Sequence, residues 1–399
     1  MRGTTEQNKK IQFMEIGKSK VLFVTHSLTS SPKEEWLDFL IPRCEKLIYI
    51  DHPFSYKKGD IRSSITIFEK GQKISTRYFY FPRKANDICF YIKDFFLNVW
   101  WMLFVGKVDL CISLDPLNTF PLILFRKAAL IKQLVYYVID YIPYRFKSNV
   151  TNFIYHYVDK MCCYNVDRIW NLSPRMQEGR LKNRVNMKKC APDIVVPMGV
   201  DLSRVNPLPF ESIERHTIVY MGAFLEKQGI QLALRVIPQV IKEVPDLKFV
   251  IIGVGEYEPE IRKIIKELNI EKYVEMRGYV KDHTEMEKML CECAIGIATY
   301  KIEKSSFSYY ADPGKAKVYL GCGLPVIITK FPLVAYEIEE KKAGFSIQYD
   351  EIAFKEALLK LLTDDELYLQ MRKNAISMSK QYIWHNICAK ALEQTGFTI

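Results

Sequence analysis

Short, nearly continuous apolar segments alternate with helix-like segments along this chain, and the alternation occurs in both halves. In the first half the strand patterns lie at residues 20–25, 46–51, 108–113, 134–140 and 168–173. In the second half they lie at residues 217–222, 248–253, 273–278, 295–300 and 325–329. Apolar runs of this length are typical of parallel strands covered by helices on both faces. The pattern therefore predicts an α/β protein with two doubly wound sheets.

A segment with two prolines and little periodicity separates the two halves and predicts a linker. The predicted divisions are a polar N-terminal tail (1–17), an N-terminal Rossmann-like domain (18–200), the linker (201–214), a C-terminal Rossmann-like domain (215–375) and a C-terminal helix (376–399). Residues 54–80 resemble none of the parallel strands and predict an inserted hairpin.

Composition narrows the class of protein further. The chain has 399 residues, of which 49% are hydrophobic, enough to build a core in two domains. Ten cysteines show no paired metal-binding spacing, which indicates reduced thiols in a cytoplasmic protein. Residues 1–17 lack the apolar run of a signal peptide, and the apolar run 95–105 is too short to span a bilayer.

The net charge of +11 requires an explanation. Its lysines and arginines are dispersed, and no nucleic-acid-binding motif accompanies them, so nucleic acid is not an expected partner. An anionic membrane surface is the favoured partner. The aromatic segment 89–108 carries Lys93 and Lys107 near its ends and Trp100 and Trp101 inside, a composition suited to the headgroup level. The alternative is a core helix of the first domain.

Residues 311–329 combine a turn, a lysine, a short helix and a buried strand. Pro313 and Gly314 mark the turn, Lys315 begins the helix, and Gly323 suits its left-handed end. In a parallel sheet this arrangement directs a helix N-terminus and a lysine ammonium toward the carboxyl ends of the strands, where both favour a diphosphate. The segment predicts a nucleotide-sugar site. The alternative is an ordinary turn with a solvated lysine.

Glycines follow several predicted strands of the second half, which is where ligands bind in doubly wound sheets. Gly222 follows the first of these strands and Gly253 the second. Gly253 and Gly255 resemble part of a dinucleotide fingerprint, but the third glycine is absent. We therefore expect these glycines to line a cleft between the two halves without forming a dinucleotide site.

The order of these motifs resembles the donor domain of retaining glycosyltransferases of family 4. The resemblance covers most of residues 190–390 and includes GAFLEKQG at 222–229, FVIIGVGE at 249–256 and PGKAKVYLGCGLPVI at 313–327. It implies the GT-B fold, in which two doubly wound Rossmann-like domains face each other across a cleft. It also implies that the C-terminal helix returns to the N-terminal domain. Residues 137–143 and 170–176 resemble the acceptor domain less specifically.

By resemblance, Lys315 holds the donor's diphosphate, and Gly222 and Gly253 line the donor site. A second basic residue is common in the loop matching 223–228; here Lys227 would replace it, because Ala223 and Gln228 occupy the usual basic positions. The backbone at Tyr279 and Val280 would meet the nucleobase. Glu337 matches a position near the donor subsite only loosely.

One departure from the family pattern concerns two glutamates. Their positions are occupied by Tyr310 and Val318, and a valine cannot accept a hydrogen bond from a ribose hydroxyl. Asp312 is the candidate replacement near the sugar or ribose. Its alternative role is to cap the following helix.

Three residues of the first domain are candidates for the acceptor side. Asp140 follows a predicted strand and is the candidate for orienting the acceptor or sugar, with helix capping or pairing to Arg145 as the alternative. His26 follows the first strand, with a structural role as the alternative. Arg175 is a further candidate, with a surface role as the default.

Together these features predict a retaining, hexosyltransferase-like enzyme on the cytoplasmic face of the membrane. It would transfer a sugar from a nucleoside diphosphate to a glycan or lipid-linked acceptor in surface polysaccharide or glycoconjugate biosynthesis. No metal and no cofactor are expected. The alternatives are an inactive GT-B scaffold, which Val318 and Ala223 favour, and a nucleotide-sugar epimerase on the same fold.

Overall fold

The computed structural model describes residues 13–26, 32–54, 62–82, 86–303 and 307–399. Most of the predicted polar tail, residues 1–12, therefore lies outside the described residues. The chain divides into two compact units. The N-terminal unit contains residues 1–196 and 387–399, and the C-terminal unit contains residues 197–386. The first division thus falls four residues before the predicted one.

The described part of the N-terminal unit is built on an eight-stranded sheet, with a separate pair of short strands formed by its first strand and the last strand of the chain. The strands are β1 (Met14–Glu15), β2 (Lys20–His26), β3 (Lys46–His52), β4 (Ser63–Glu69), β5 (Gln72–Phe79), β6 (Val108–Leu114), β7 (Ile131–Val138), β8 (Arg168–Asn171) and β9 (Asp193–Val195). The helices are α1 (Lys33–Leu40), α2 (Asp87–Val105), α3 (Pro116–Lys127), α4 (Asn149–Asn165) and α5 (Arg175–Lys182).

The sheet order in this unit is β5-β4-β3-β2-β6-β7-β8-β9. Strands β3, β2, β6, β7 and β8 run parallel, so their carboxyl ends share one edge. Strands β4 and β5 pair antiparallel, which confirms the predicted hairpin; residues 55–61 of the predicted segment lie outside the described residues. Strand β9 was not predicted, because three residues give too short an apolar pattern.

Helices α2, α3 and α4 form one layer, with α3 packed against both of the others. Helix α2 begins after Asn86, whose side chain accepts a hydrogen bond from the Cys89 backbone, and ends at Gly106, which has a φ of 68°. The predicted apolar run 95–105 is therefore the second half of a 19-residue helix. This helix is long and apolar enough to cross a membrane. The core helices of folded domains can meet the same criteria of length and composition.

The C-terminal unit is built on a six-stranded parallel sheet. Its strands are β10 (Glu214–Met221), β11 (Lys248–Ile252), β12 (Val274–Gly278), β13 (Cys293–Ala298), β14 (Val326–Thr329) and β15 (Gly344–Ile347). Its helices are α6 (Ile230–Val240), α7 (Glu258–Glu267), α8 (His283–Glu292), α9 (Phe307–Tyr310), α10 (Gly314–Gly321), α11 (Leu333–Glu340), α12 (Glu351–Thr363) and α13 (Asp365–Ser379). Strand β15 was not predicted.

The strand order in the C-terminal unit is β12-β11-β10-β13-β14-β15, the doubly wound order 3-2-1-4-5-6. Neighbouring residues of β10 face opposite sides of the sheet, so Ile218 packs into one apolar cluster and Val219 into the other. Because both faces of the sheet are covered, the strands are apolar throughout, and their sequence pattern therefore predicted parallel strands. The order reverses between β10 and β13, and this reversal is the topological switch point.

The last helix, α14 (Trp384–Thr395), joins the N-terminal unit from Ile387 onward. After it, β16 (Phe397–Thr398) pairs in parallel with β1. The C-terminal return thus begins later than the predicted residue 376, because α13 continues to Ser379 within the C-terminal unit.

Candidate functional site

The side chain of Lys315 lies at the switch point of the C-terminal sheet. Lys315 is in the first turn of α10, and its Nζ donates a hydrogen bond of 2.7 Å to Oε1 of Gln228, in the loop after β10. The same Nζ lies 4.4 Å from the ring centre of Tyr220 and 5.0 Å from that of Tyr300. These residues belong to β10 and to the loop after β13. The lysine therefore reaches the crevice at which ligands bind in doubly wound folds.

Burial among aromatic rings disfavours the charged form of Lys315. Desolvation lowers the pKa of its ammonium to about 7. Among the described residues, no carboxylate forms an ion pair with Lys315. The hydroxyl of Tyr300 beside it is likewise buried with no hydrogen-bond partner in the described part of the chain. An anion bound here would restore the charged form of the lysine.

Two glycines allow the loops after β10 and β11 to approach each other and the lysine. Gly222 has a φ of 142°, and a Cβ on it would lie 3.1 Å from the Nζ of Lys315. Gly253 has a φ of 145°, and a Cβ on it would lie 2.0 Å from the carbonyl oxygen of Gly222. At Gly253 both the backbone conformation and the space exclude a side chain, whereas at Gly222 the backbone conformation disfavours one and the end of Lys315 would have to shift. The predicted Gly222 and Gly253 thus come together with Lys315.

Lys227 lies in the loop after β10, next to Gln228. It lies in the single 3-10 turn Glu226–Gln228, is partly buried, and its backbone carbonyl accepts a hydrogen bond from Lys301. Desolvation lowers the pKa of Lys227, although Glu256 and Glu303 act against this shift. Gln228, which replaces a basic residue of the family pattern, is the residue that contacts Lys315. A diphosphate role for Lys227 stays a prediction.

Asp312 is held by interactions that the sequence did not indicate. Its Oδ2 accepts hydrogen bonds from the backbone N of Met198 at 2.7 Å and from Nζ of Lys317 at 2.5 Å. Lys317 is 1% exposed; it also donates to the carbonyl of Met198, and its Nζ lies over the ring of Tyr382. Asp312 does not cap α10, whose N-cap is Pro313. A ribose contact by Asp312 stays a prediction.

The other three residues predicted to bind the donor have different surroundings from Lys315. Tyr279 follows β12 and is largely exposed, and Val280 packs against the apolar cluster that contains Val219. Glu337 lies on α11 and accepts hydrogen bonds from the hydroxyl of Tyr382 and from Gln381. Its contacts are therefore with the segment after α13, and a donor role for Glu337 stays a prediction.

The two positions at which the family pattern has glutamates are occupied by packed side chains. Val318 packs against the apolar cluster of α10, α11 and α13, and Tyr310 is buried. Neither position presents a carboxylate, as the sequence already indicated.

In the N-terminal unit the predicted acceptor-side residues all follow parallel strands. His26 is the last residue of β2, Asp140 comes two residues after the end of β7, and Arg175 begins α5 after β8. The carboxyl ends of these strands lie on the edge at which doubly wound sheets bind ligands. Arg175 is 8% exposed, so the default surface role is wrong.

His26 is part of a buried charged network. Its Nδ1 pairs with Asp115, which follows β6, and its Nε2 lies 3.2 Å from Oδ2 of Asp94 on α2. Burial alone would lower the pKa of His26, but the two carboxylates raise it to about 10. His26 is therefore an imidazolium cation at neutral pH, held on both sides.

The network continues beyond His26. Oδ1 of Asp94 lies 3.0 Å from Nδ1 of His52 and 2.6 Å from Nζ of Lys93. Despite burial, His52 and His26 hold the pKa of Asp94 well below its usual range. Asp115 has a φ of 62° and caps α3 by accepting hydrogen bonds from the backbone of Leu117 and Asn118. Asp94 and Asp115 were not predicted as site residues, because no local pattern joins residues on separate elements.

Asp140 pairs with Arg145, as one of its two alternatives predicted. Nη1 of Arg145 lies 3.3 Å from Oδ2 of Asp140, and the Asp140 side chain keeps about a third of its surface exposed. Nη1 of Arg145 also lies 3.4 Å from the hydroxyl of Tyr155. Asp140 is thus oriented by a cation while part of its carboxylate remains accessible.

The chain resembles known proteins in sequence and in fold. Residues 215–364 match the family model described as Glycosyl transferases group 1. A glycosyltransferase of Haemophilus influenzae is 26% identical over 184 residues, which is 43% of this chain and 46% of that protein. The D-inositol 3-phosphate glycosyltransferase of Corynebacterium jeikeium is 24% identical over 209 residues, 48% of each chain. The chain spans less than half the length of these relatives.

Solved structures match nearly the whole chain in fold. Sucrose-phosphate synthase from Thermosynechococcus elongatus matches with a TM-score of 0.71 and 15% identity over 95% of this chain and 98% of that one. Anabaena HepE in complex with UDP matches with a TM-score of 0.68 and 13% identity over 94% and 99%. The fold is GT-B, as the sequence predicted. Through residues 215–364 the chain resembles the group 1 glycosyltransferases.

Proposed function

We propose that this protein is a retaining glycosyltransferase of family 4 that transfers a hexose from a nucleoside diphosphate to a glycan or lipid-linked acceptor. The observation that carries the proposal is Lys315, a desolvated amine at the switch point of a doubly wound sheet with no carboxylate paired to it among the described residues. Such an amine gains its charge when an anion binds, and a diphosphate is the anion that the family's donors supply.

The expected chemistry needs no protein-bound metal or cofactor. Departure of the diphosphate leaves an oxocarbenium-like sugar, so the protein must stabilise the leaving group and hold an acceptor hydroxyl beside the sugar. Lys315 and the backbone N–H groups of the first turn of α10 meet the developing negative charge. Lys227 and Asp312 stay candidates for further donor contacts. Asp140, with His26 and Arg175 at the carboxyl ends of other strands of the same sheet, would orient the acceptor.

UDP is the donor nucleotide to test first. One matching structure is HepE in complex with UDP, and another is the same protein in complex with UDP-glucose. We would measure thermal shifts with UDP, GDP, ADP and their sugar conjugates. A ligand at about 100 times its Kd stabilises the native state by roughly 2.7 kcal/mol. A shift with one nucleotide would identify the base, and transfer would then be sought with glycan and lipid-linked acceptors.

The matched control is a lysine on the same unit that is distant in sequence from the site. Lys315→Ala should lose the shift and most of the transfer while remaining folded, whereas Lys360→Ala, an exposed position on α12, should keep both. Full activity in Lys315→Ala would contradict the diphosphate assignment. Donor consumption without acceptor, by hydrolysis or epimerisation, would favour a different reaction on the same fold.

A non-catalytic binding role is the second candidate, and the packed Val318 is the observation that favours it. Without the family's glutamate, the ribose would lack a charged acceptor worth about 1.5 to 3 kcal/mol. Val318→Glu tests this directly. A large gain in donor affinity would indicate a decayed site, and a loss would indicate a pocket adapted to valine.

We place the reaction in the cytoplasm, in surface polysaccharide or glycoconjugate synthesis. The ten cysteines, eight of them buried, form no disulfide, as suits a reducing compartment. Fractionation of cells expressing the full chain would test this placement.

A further inference from the structure

Helix α2 exposes an apolar face to solvent. Its buried face carries Leu97 and Met102, together with the charged pair Lys93 and Asp94. The opposite face exposes large side chains at spacings of three or four residues, which places them on one stripe of the helix. These residues are Ile88, Ile92, Phe96, Trp100, Leu103 and Phe104. Trp100 is 61% exposed and Phe104 is 71% exposed.

The structure corrects the predicted membrane segment at two residues. Lys93 and Trp101, which the composition of residues 89–108 assigned to the headgroup level, are buried against the N-terminal sheet. Lys93 is paired with Asp94, and Trp101 stacks on His52. The buried ion pair in the middle of α2 marks this helix as part of the folded unit, with one face inward and one face outward.

Helix α4 continues this exposed apolar surface. It belongs to the same helix layer, with α3 between it and α2. Its exposed large side chains are Val150, Phe153, Ile154 and Tyr157, again on one stripe. On α3, Leu124 is exposed as well. We call the outward surface of α2, α3 and α4 the apolar face of the N-terminal unit. Exposed apolar patches on soluble proteins mark sites of interaction with other proteins or with membranes.

Exposed lysines outnumber exposed carboxylates on these helices and in the connections beside them, where Asp140 and Asp167 are paired with Arg145 and Arg126. Of the three acidic residues on the helices of this layer, Asp94 and Asp159 are buried and only Asp87 is exposed. Exposed lysines lie at the ends of the helices and in the connections between them: Lys107, Lys127 and Lys147. Large aromatic and aliphatic side chains bordered by lysines suit the headgroup level of an anionic bilayer.

We propose that the apolar face docks the protein on an anionic lipid surface, with α2 and α4 lying in the plane of the interface. A second copy of the chain is the less suitable occupant, because it would bring the same lysines and the chain's +11 charge against themselves. The proposal goes beyond the proposed function and does not depend on it, since lipid binding is measured without donor or acceptor. It predicts that this protein meets acceptors at the membrane.

The test uses the full chain and vesicles of phosphatidylcholine alone or with 30% phosphatidylglycerol. Wild type should float with the anionic vesicles at low salt and much less at 0.5 M salt, because screening weakens the lysine contribution. Trp100→Glu with Phe104→Glu should reduce binding at least tenfold, and Phe153→Glu with Tyr157→Glu should do the same. All four positions are exposed, so folding should be unaffected. Circular dichroism and the Tm would confirm this.

The matched control is Ile352→Glu, which places the same charge on an exposed apolar position of α12 in the C-terminal unit. It should bind vesicles like wild type. Wild-type binding to neither vesicle, or equal loss in Ile352→Glu and the α2 variant, would overturn the proposal. The proposal would also be overturned if the wild-type protein were a dimer and the double variant Trp100→Glu with Phe104→Glu were a monomer. The apolar face would then be a contact between two copies of the chain. Sugar transfer to a water-soluble acceptor is measured separately, because its loss in the α2 variant would count against the proposed function and not against lipid binding.

Discussion

His26 of the N-terminal unit and Lys315 of the C-terminal unit have opposite electrostatic surroundings. In the N-terminal unit, the His26 cation lies between Asp115 and Asp94, and Asp94 is shared with His52 and Lys93. In the C-terminal unit, the Lys315 amine is buried against two aromatic rings with the neutral Gln228 as hydrogen-bond partner. A network of opposite charges stabilises its own geometry, whereas an amine without a counter-ion is held ready for an anion. The first arrangement suits positioning, and the second suits binding.

The largest expected effect is a loss of stability when the charges of the His26 network are no longer balanced. Asp94→Asn leaves His26 and Lys93 as buried cations with less compensation, and breaking a buried pair in this way costs about 3 to 5 kcal/mol in the free energy of unfolding. Chemical denaturation would measure it. The control is Asp246→Asn, because Asp246 pairs with His216 at 2.8 Å on the surface and should lose less than about 1 kcal/mol. Equal effects of the two variants would remove the distinction between the units.

Lys315→Met tests the opposite expectation for the C-terminal unit. Removing a desolvated amine should not lower stability, yet it should weaken binding of a nucleoside diphosphate by about 1.5 to 3 kcal/mol, or roughly 10- to 150-fold. Since burial lowers the folded-state pKa of Lys315, the unfolded chain binds more protons between pH 7 and the ordinary lysine range. Wild-type stability should therefore rise with pH in that window, and the stability advantage of Lys315→Met should be greatest below pH 7. A variant that unfolds more easily than wild type at every pH would contradict this.

Proton uptake on ligand binding is a second test of whether Lys315 gains its charge when a diphosphate binds. At pH 8 the free protein holds Lys315 mostly neutral, because its pKa is about 7, and a bound diphosphate would raise that pKa. Binding of UDP-glucose should take up a fraction of a proton and weaken as the pH rises above 7. Calorimetry in two buffers of different ionisation enthalpy would detect the uptake. Lys315→Met should abolish it; identical uptake in this variant would assign the proton to another group.

The smallest expected effect separates backbone strain from site geometry. Gly222→Ala and Gly278→Ala both place a side chain at positive φ, which costs about 1 to 3 kcal/mol of stability. Only at Gly222 would the added Cβ meet Lys315, since the space around a Cβ at Gly278 is open within 4 Å. Both variants should lose stability, but only Gly222→Ala should also weaken donor binding, by a few fold. Calorimetry after correction for the folded fraction would decide between them.

The donor side was more predictable from sequence than the acceptor side, for a physical reason. Lys315 lies in one continuous turn, helix and strand, so its position follows from local rules about glycine, proline and parallel strands. The His26 network joins groups separated by 68 and 89 residues along the chain. The periodicity of a sequence does not predict contacts between residues so far apart. Asp94 also lies in an apolar helix whose composition predicted contact with a membrane surface. The interaction of Asp312 with Met198 is equally non-local, at 114 residues.

That last interaction extends outside the part of the C-terminal unit that sequence similarity covers. The backbone N–H of Met198 donates to Asp312, and its carbonyl accepts from Lys317. Val200 pairs with Tyr382 and Trp384 through backbone hydrogen bonds. The family-matched segment begins only at residue 215. A fragment cut there would remove the Met198 carbonyl that accepts from Lys317 and the Met198 N–H that donates to Asp312, leaving Lys317 with Asp312 as its acceptor. The compact unit is residues 197–386, and it extends beyond the segment that sequence similarity outlines at both ends.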